Sequence, residues 1–251
     1  MQKEGKIHIG TSGFYYNHWI GKFYPEKLKQ RDFFEYYLKF FKTLELNSPF
    51  YRLPALTTFE SWKKKVPDDF IFAVKASRYI THIKKLKDTK ESVNNFFERV
   101  DRLEEKLGVI LFQLPPSLKY NFERFEEFLK ILPKGYRMTF EFRNPSWYNE
   151  ELYDLLTKHN HSFCIYELEY HLSPMVCTAD FVYVRLHGPE TKYAGSYSEK
   201  TLQLWADRAK KWQKEGKDVY IYFDNDQNAY AAFNAQSLIE MCQYSKINSK
   251  I

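Results

Sequence analysis

The chain has 251 residues, 44% of them hydrophobic and 28% charged, with a formal net charge of +6 at pH 7. No stretch approaches the roughly 18 apolar residues of a membrane-spanning helix, and three cysteines (Cys164, Cys177 and Cys242), odd in number and without short ligand spacing, exclude a disulfide framework or a zinc knuckle. The N-terminal Met1 to Lys6 leads straight into a strand with no apolar signal region, so a soluble, cytoplasmic protein is expected.

Short apolar runs are predicted as strands at Ile7 to Gly10, Thr43 to Asn47, Phe70 to Ala76, Gly108 to Leu114, Arg137 to Arg143, Ser162 to Tyr166, Asp180 to His187 and Asp218 to Asp224. Helices are predicted at Arg31 to Phe41, Thr58 to Lys65, Glu91 to Lys106, Glu123 to Leu132, Glu150 to Lys158, Glu199 to Lys214 and Ala231 to Cys242. Thr57 and Glu60 have capping-box spacing ahead of the second helix, and Asn149 is a candidate N-cap for the fifth. The stretch Glu167 to Ala179 has no helical period, so the sixth helix is expected to be short or missing. Strands alternating with helices need crossovers and imply a parallel sheet. Eight such units in this length predict an α/β fold, a TIM-type (β/α)8 barrel forming a single domain over residues 1–251.

Residues two apart on a strand share a face. Glu45 with Asn47, Glu141 with Arg143, Arg185 with His187, and Asp224 with Tyr220 and Tyr222 therefore share faces, while Lys75 and Gln113 close their strands. The intervening Leu44, Leu46, Phe140, Phe142, Val184, Leu186, Ile221 and Phe223 suit packing against helices. Burying ionised groups is costly unless they are paired, and barrel interiors are usually filled by branched apolar residues. An internal salt-bridge network would account for the polar set, but a ligand site at the strands' C-terminal mouth is the better reading. His82 lies in the long loop after the third strand and can reach that mouth. Tyr15, Tyr16, Trp19, Phe50, Tyr51 and Trp147 follow strand ends and could stack a sugar or base.

At these residues the chain resembles the YecE-like proteins, domain of unknown function 72. The resemblance runs through Ile9 to Phe14, Gly21 to Pro25, Glu45 to Tyr51, Phe72 to Lys75 with Thr81 and His82, Leu111 to Pro116, Glu141 to Arg143 with Ser146 and Trp147, Val184 to Gly188, Tyr197 with Ser198, and Tyr222 to Asp226. Phe14, Ser48 and Asp224 depart from it, standing where Trp, Thr and Asn are usual. It implies a TIM-like barrel without a settled activity. By fold analogy it points to metal-dependent endonuclease IV and xylose-isomerase-like barrels, although fold alone does not carry function.

Three functions follow as expectations. One is metal-assisted hydrolysis of a phosphodiester or phosphorylated substrate, with Glu45, Glu141, His187 and Asp224 as the ligand pool for one divalent metal ion. Two histidines are too few for a trinuclear zinc centre. Another is metal-free acid–base chemistry on a phosphorylated or carboxylated sugar, with Glu45, Glu141 and His187 catalytic. The third is a non-enzymatic protein binding nucleic acid or a small anion. In each, substrate would be bound by Asn47, Tyr51, Lys75, His82, Gln113, Arg143, Trp147, Arg185 and Asp224, and a small anionic partner is expected, with no membrane partner. The net charge adds little to this, because Lys63 to Lys65 and Lys210 with Lys211 read as solvated helix faces.

Overall fold

The computed structural model describes residues 4–244, so Met1–Lys3 of the N-terminal reading lie outside the described residues. Eight strands run in chain order as β1 (Ile7–Thr11), β2 (Thr43–Leu46), β3 (Ile71–Lys75), β4 (Leu107–Leu114), β5 (Arg137–Phe142), β6 (Ser162–Leu168), β8 (Phe181–Leu186) and β9 (Asp218–Phe223). A two-residue strand, β7 (His171–Leu172), pairs antiparallel with β6. The long strands pair parallel and alternate with helices, the element pattern of a TIM-type (β/α)8 barrel. Asn47, Arg143, His187 and Asp224 each fall one residue past the end of their strand. Among the described residues no helix is long and apolar enough to cross a membrane.

The chain divides into two compact units. The first comprises the described parts of Met1–Leu44, Ile165–Met175 and Asp180–Ile251. Here β9 lies between β1 and β8, with Ile9 opposite Ile221 and Arg185 opposite Tyr222. One face of this sheet is an aromatic ladder: His8 stacks on Tyr220 at 4.8 Å, Tyr220 meets Tyr183 at 6.2 Å, and Tyr183 meets Tyr222 at 5.3 Å. The ladder ends where the Tyr222 hydroxyl and Thr43 Oγ1 lie 2.6 Å apart. At Gly10 a Cβ would come within 2.5 Å of the Thr43 carbonyl oxygen, so only glycine lets the backbones of β1 and Thr43 approach this closely.

Helices α7 (Glu199–Lys214) and α8 (Tyr230–Tyr244) belong to this unit, and the Ser198 side chain caps α7 by accepting from the Thr201 amide at 3.2 Å. The first helix, α1, is shorter than the Arg31 to Phe41 expectation, covering only Phe33–Tyr37 after a 3-10 turn. It has no side-chain cap at Asp32, and its aromatic run has modest helix propensity. Phe33, Phe34 and Tyr37 are instead fixed by burial, Phe33 stacking on Tyr24 at 4.1 Å.

Among the described residues no helix lies between β6 and β8, where the sequence lacks a helical period. β6 and β7 form a hairpin whose turn residues, Glu169 and Tyr170, both have positive φ (51° and 64°). That is the backbone of a two-residue turn matching strand twist.

The second unit comprises Glu45–Cys164 and Val176–Ala179. β4 lies between β3 and β5, and the start of β6 pairs with β5, placing Gln113 opposite Glu141. Helices α2 (Ser48–Tyr51), α3 (Leu56–Lys65), α4 (Lys90–Val100), α5 (Phe122–Ile131) and α6 (Glu150–Lys158) complete it. Phe112 and Phe140 stack at 5.3 Å, and both meet α5, through Phe128 at 5.4 Å and Phe125 at 5.1 Å. Phe142 and Phe163 continue this helix-facing layer, so the pleat turns Glu141 and Cys164 to the opposite face.

Two boundaries differ from expectation. Helix α4 stops at Val100, and residues 101–106 form a tighter turn broken at Glu104 (φ 48°). The break lets Leu103 and Lys106 bury, the Lys106 ammonium donating to the Asp68 carbonyl at 2.6 Å. Helix α3 begins at Leu56 with no side-chain cap at Ala55, so Thr57 is inside the helix and the Thr57–Glu60 capping box is not formed. Asn149 does cap α6, accepting from the Leu152 amide at 3.0 Å.

Candidate functional site

In the second unit, Glu141 is fully buried and its carboxylate accepts from the Arg143 guanidinium Nε–H, while Cys164 Sγ makes a weak contact to its other oxygen at 3.9 Å. The pair follows from strand geometry: residues two apart share a face, and Arg143 sits just beyond the ladder where its side chain can fold back. Lys75, at the end of β3, is only 8% exposed, and its ammonium stands 4.3 Å from the Phe50 ring centroid. That cation–π contact compensates part of the cost of burying the charge.

The Phe50 ring also meets the His82 ring edge-on at 5.0 Å. His82 lies in the helical turn Tyr79–Ile83 after β3, its Nδ1 2.8 Å from Thr81 Oγ1. Burial lowers the His82 pKa to about 4, helped by the positive charges of Lys75, Arg78 and Arg143 and opposed by Glu141. The imidazole is therefore neutral at pH 7, in a neighbourhood with more cations than carboxylates. Glu45 is fully buried at the end of β2, and Asn47 and Gln113 are half-buried.

Two aromatic candidates have opposite settings. Tyr51 is 71% exposed at the end of α2. Trp147 is fully buried, stacked on Phe142 at 4.9 Å with its indole N–H donating to the Leu118 carbonyl at 2.7 Å. It presents no open ring face and works as packing.

In the first unit, Arg185, His187 and Asp224 form one network. A single Asp224 oxygen accepts from Arg185 Nη2 at 3.1 Å and lies 2.9 Å from His187 Nδ1. Arg185 Nη1 lies 3.2 Å from His187 Nε2, and its Nη2 also donates to Ser12 Oγ at 3.0 Å. A guanidinium only donates, so the geometry fits a His187 tautomer with its proton on Nδ1, donated to Asp224. Arg185 and His187 are fully buried, whereas the Asp224 side chain is 13% exposed. Arg185 thus directs its donors inside the protein, fixing Asp224 and His187.

A family model described as "Protein of unknown function DUF72" matches residues 8–250. The chain belongs to the DUF72 family. The UPF0759 protein YunF of Bacillus subtilis is 26% identical over an alignment of 269 residues, covering 94% of each chain. The UPF0759 protein YecE of Escherichia coli K12 is 28% identical over 115 residues, 45% of this chain and 42% of that protein. The crystal structure of a DUF72 family protein from Thermotoga maritima superposes with a TM-score of 0.85 at 33% identity, covering 94% of this chain and 98% of that one. A DUF72 structure from Enterococcus faecalis, at 20% identity and a TM-score of 0.80, shares the fold.

In this DUF72 protein three of the four residues considered as metal ligands, Glu141, His187 and Asp224, engage protein side chains. Glu141 is held by Arg143 and Cys164, and both His187 ring nitrogens are occupied by Asp224 and Arg185. Among the described residues no group of three or more His, Cys, Asp or Glu side chains is placed to hold a metal ion.

Sequence reasoning missed Ser12, Arg78 and Cys164 as partners in these networks. Strand parity could have found Cys164, two residues past Ser162 on the strand paired with β5; the other two depend on loop conformation. It also missed Asp226, whose carboxylate lies 3.2 Å from His18 Nε2 and whose carbonyl accepts the Trp19 indole N–H at 2.8 Å. Burial raises the Asp226 pKa, as does the charge of Asp224, while His18 opposes the shift.

Proposed function

We propose that this DUF72 protein is a metal-free acid–base enzyme acting on a small molecule that carries a phosphate or carboxylate. Lys75 and Arg143 hold the anionic group, Glu141 keeps the Arg143 fork in place, and His82 exchanges the proton. The observation that carries this reading is the neutral His82 ring among Lys75, Arg78 and Arg143 with Glu141 as the opposing charge. An imidazole with a pKa near 4 is a poor proton carrier at pH 7. A bound anion would add negative charge beside the ring and raise that pKa toward the working pH, so substrate binding would itself prepare the proton-transfer group. Arg143 offers a planar donor fork suited to paired oxygens, and Lys75 a compact charge.

Inorganic phosphate tests the anion requirement. At about ten times its dissociation constant it should stabilise the protein by about 1.4 kcal/mol, raising the melting midpoint by about 3–6 °C for a chain of this size. Lys75→Met should lose most of that shift. No shift in the wild type, or an equal shift in the variant, would overturn the proposal.

A further inference from the structure

We propose that the surface around the turn Tyr79–Ile83 binds single-stranded nucleic acid, a function independent of the proton-transfer reading. Two aromatic side chains stand out into solvent there: Tyr51 is 71% exposed and Tyr79 is 44% exposed. They flank one buried contact, because Phe50, beside Tyr51, packs on His82 in the turn that Tyr79 opens. Exposed rings of this size normally bury, since each carries a large apolar surface.

The chain around them is basic. From Arg78 to Lys90 it holds Arg78, Lys84, Lys85, Lys87 and Lys90 against one carboxylate, Asp88. Arg78 and Lys87 are exposed, and the Lys84 ammonium stands 5.9 Å from the Tyr79 ring centroid. Lys85, Leu86 and Asp88 have positive φ (49°, 70° and 50°), so the backbone turns tightly through the basic segment.

Cations for a phosphate backbone interleaved with rings on which bases stack is the chemistry of single-strand binding. A duplex keeps its bases stacked on each other and leaves such rings without partners. An anionic lipid surface would also attract the lysines, but insertion needs a larger apolar face than this turn offers. Ile83, 59% exposed, is its only strongly exposed aliphatic side chain among the described residues 78–90. A single strand is the better match.

The test is fluorescence anisotropy with a labelled oligothymidylate of about 16 nucleotides, a span within known single-strand site sizes. The full chain should bind it with an affinity that falls as salt rises. Tyr51→Ala and Tyr79→Ala should each weaken binding about tenfold, within the range for losing one stacked base. Replacing Lys84, Lys85 and Lys87 together by Gln should flatten the slope of log affinity against log salt by about 0.7 for each phosphate no longer neutralised. The matching control replaces Lys200, Lys211 and Lys214, exposed on α7, by Gln and should change neither quantity. No binding at low salt would overturn the proposal, as would an equal loss in the control, or tyrosine variants that bind like wild type. Tighter capture by phosphatidylserine vesicles than by the oligonucleotide, with the same tyrosine dependence, would overturn it too and assign the surface to membranes.

Discussion

Glu141 and Arg143 show how much of the site a sequence can reveal. Their spacing places them on one face, and the structure joins them as a buried ion pair. Removing one partner of such a pair leaves an uncompensated buried charge. Arg143→Ala should therefore destabilise the protein by about 3 kcal/mol in urea unfolding, and Glu141→Gln combined with Arg143→Met should recover much of that. Equal losses in the single and double variants would contradict the pairing. His82 was visible only as a loop histidine able to reach the mouth, because its protonation depends on burial and on neighbours distant in sequence. Its folded pKa of about 4 lies below the ordinary 6.5. Neutral His82 thus contributes stability above the unfolded pKa, and that stability is lost as pH falls from about 6.5 toward 4. Across that window the wild type should lose urea stability more steeply than His82→Gln; parallel profiles would contradict the shift.

At the scale of elements, the strands are legible because apolar runs end in polar residues, which fall just past β2, β5, β8 and β9 and inside the last two residues of β3 and β4. Helix ends were less legible. Asn149 caps α6 as its position suggests, but the Thr57–Glu60 box does not form because α3 starts at Leu56, two residues before the expected Thr58. The end of α4 depends on burying Lys106 against the Asp68 carbonyl, a long-range contact that no local pattern encodes. The β6–β7 hairpin offers a test of local strain. Glu169 and Tyr170 occupy left-handed backbone that Asn-Gly turns favour. Replacing them with Asn and Gly should stabilise the protein by about 1 kcal/mol, read from the urea midpoint. Destabilisation would show that the two side chains contribute more than their backbone strain costs. Ser198→Ala should cost about 1 kcal/mol through loss of the α7 cap, again read from the urea midpoint.

At the scale of the whole molecule, eight parallel strands alternating with helices and the match over residues 8–250 fix the fold and the family. The activity is a different matter. The interior charges that attract attention in the sequence divide into roles that only coordinates separate. Arg185 donates to Ser12, Asp224 and His187 inside the protein, whereas Lys75 and Arg143 stand around a neutral histidine. The central claim is that this histidine is tuned by an anion. The most direct measurement is an NMR pH titration of the His82 imidazole, with and without inorganic phosphate, assigned against His82→Gln. The expected result is a pKa near 4 without phosphate and a clear rise with it, the rise being lost in Lys75→Met. An ordinary value near 6.5 that phosphate leaves unchanged would contradict it.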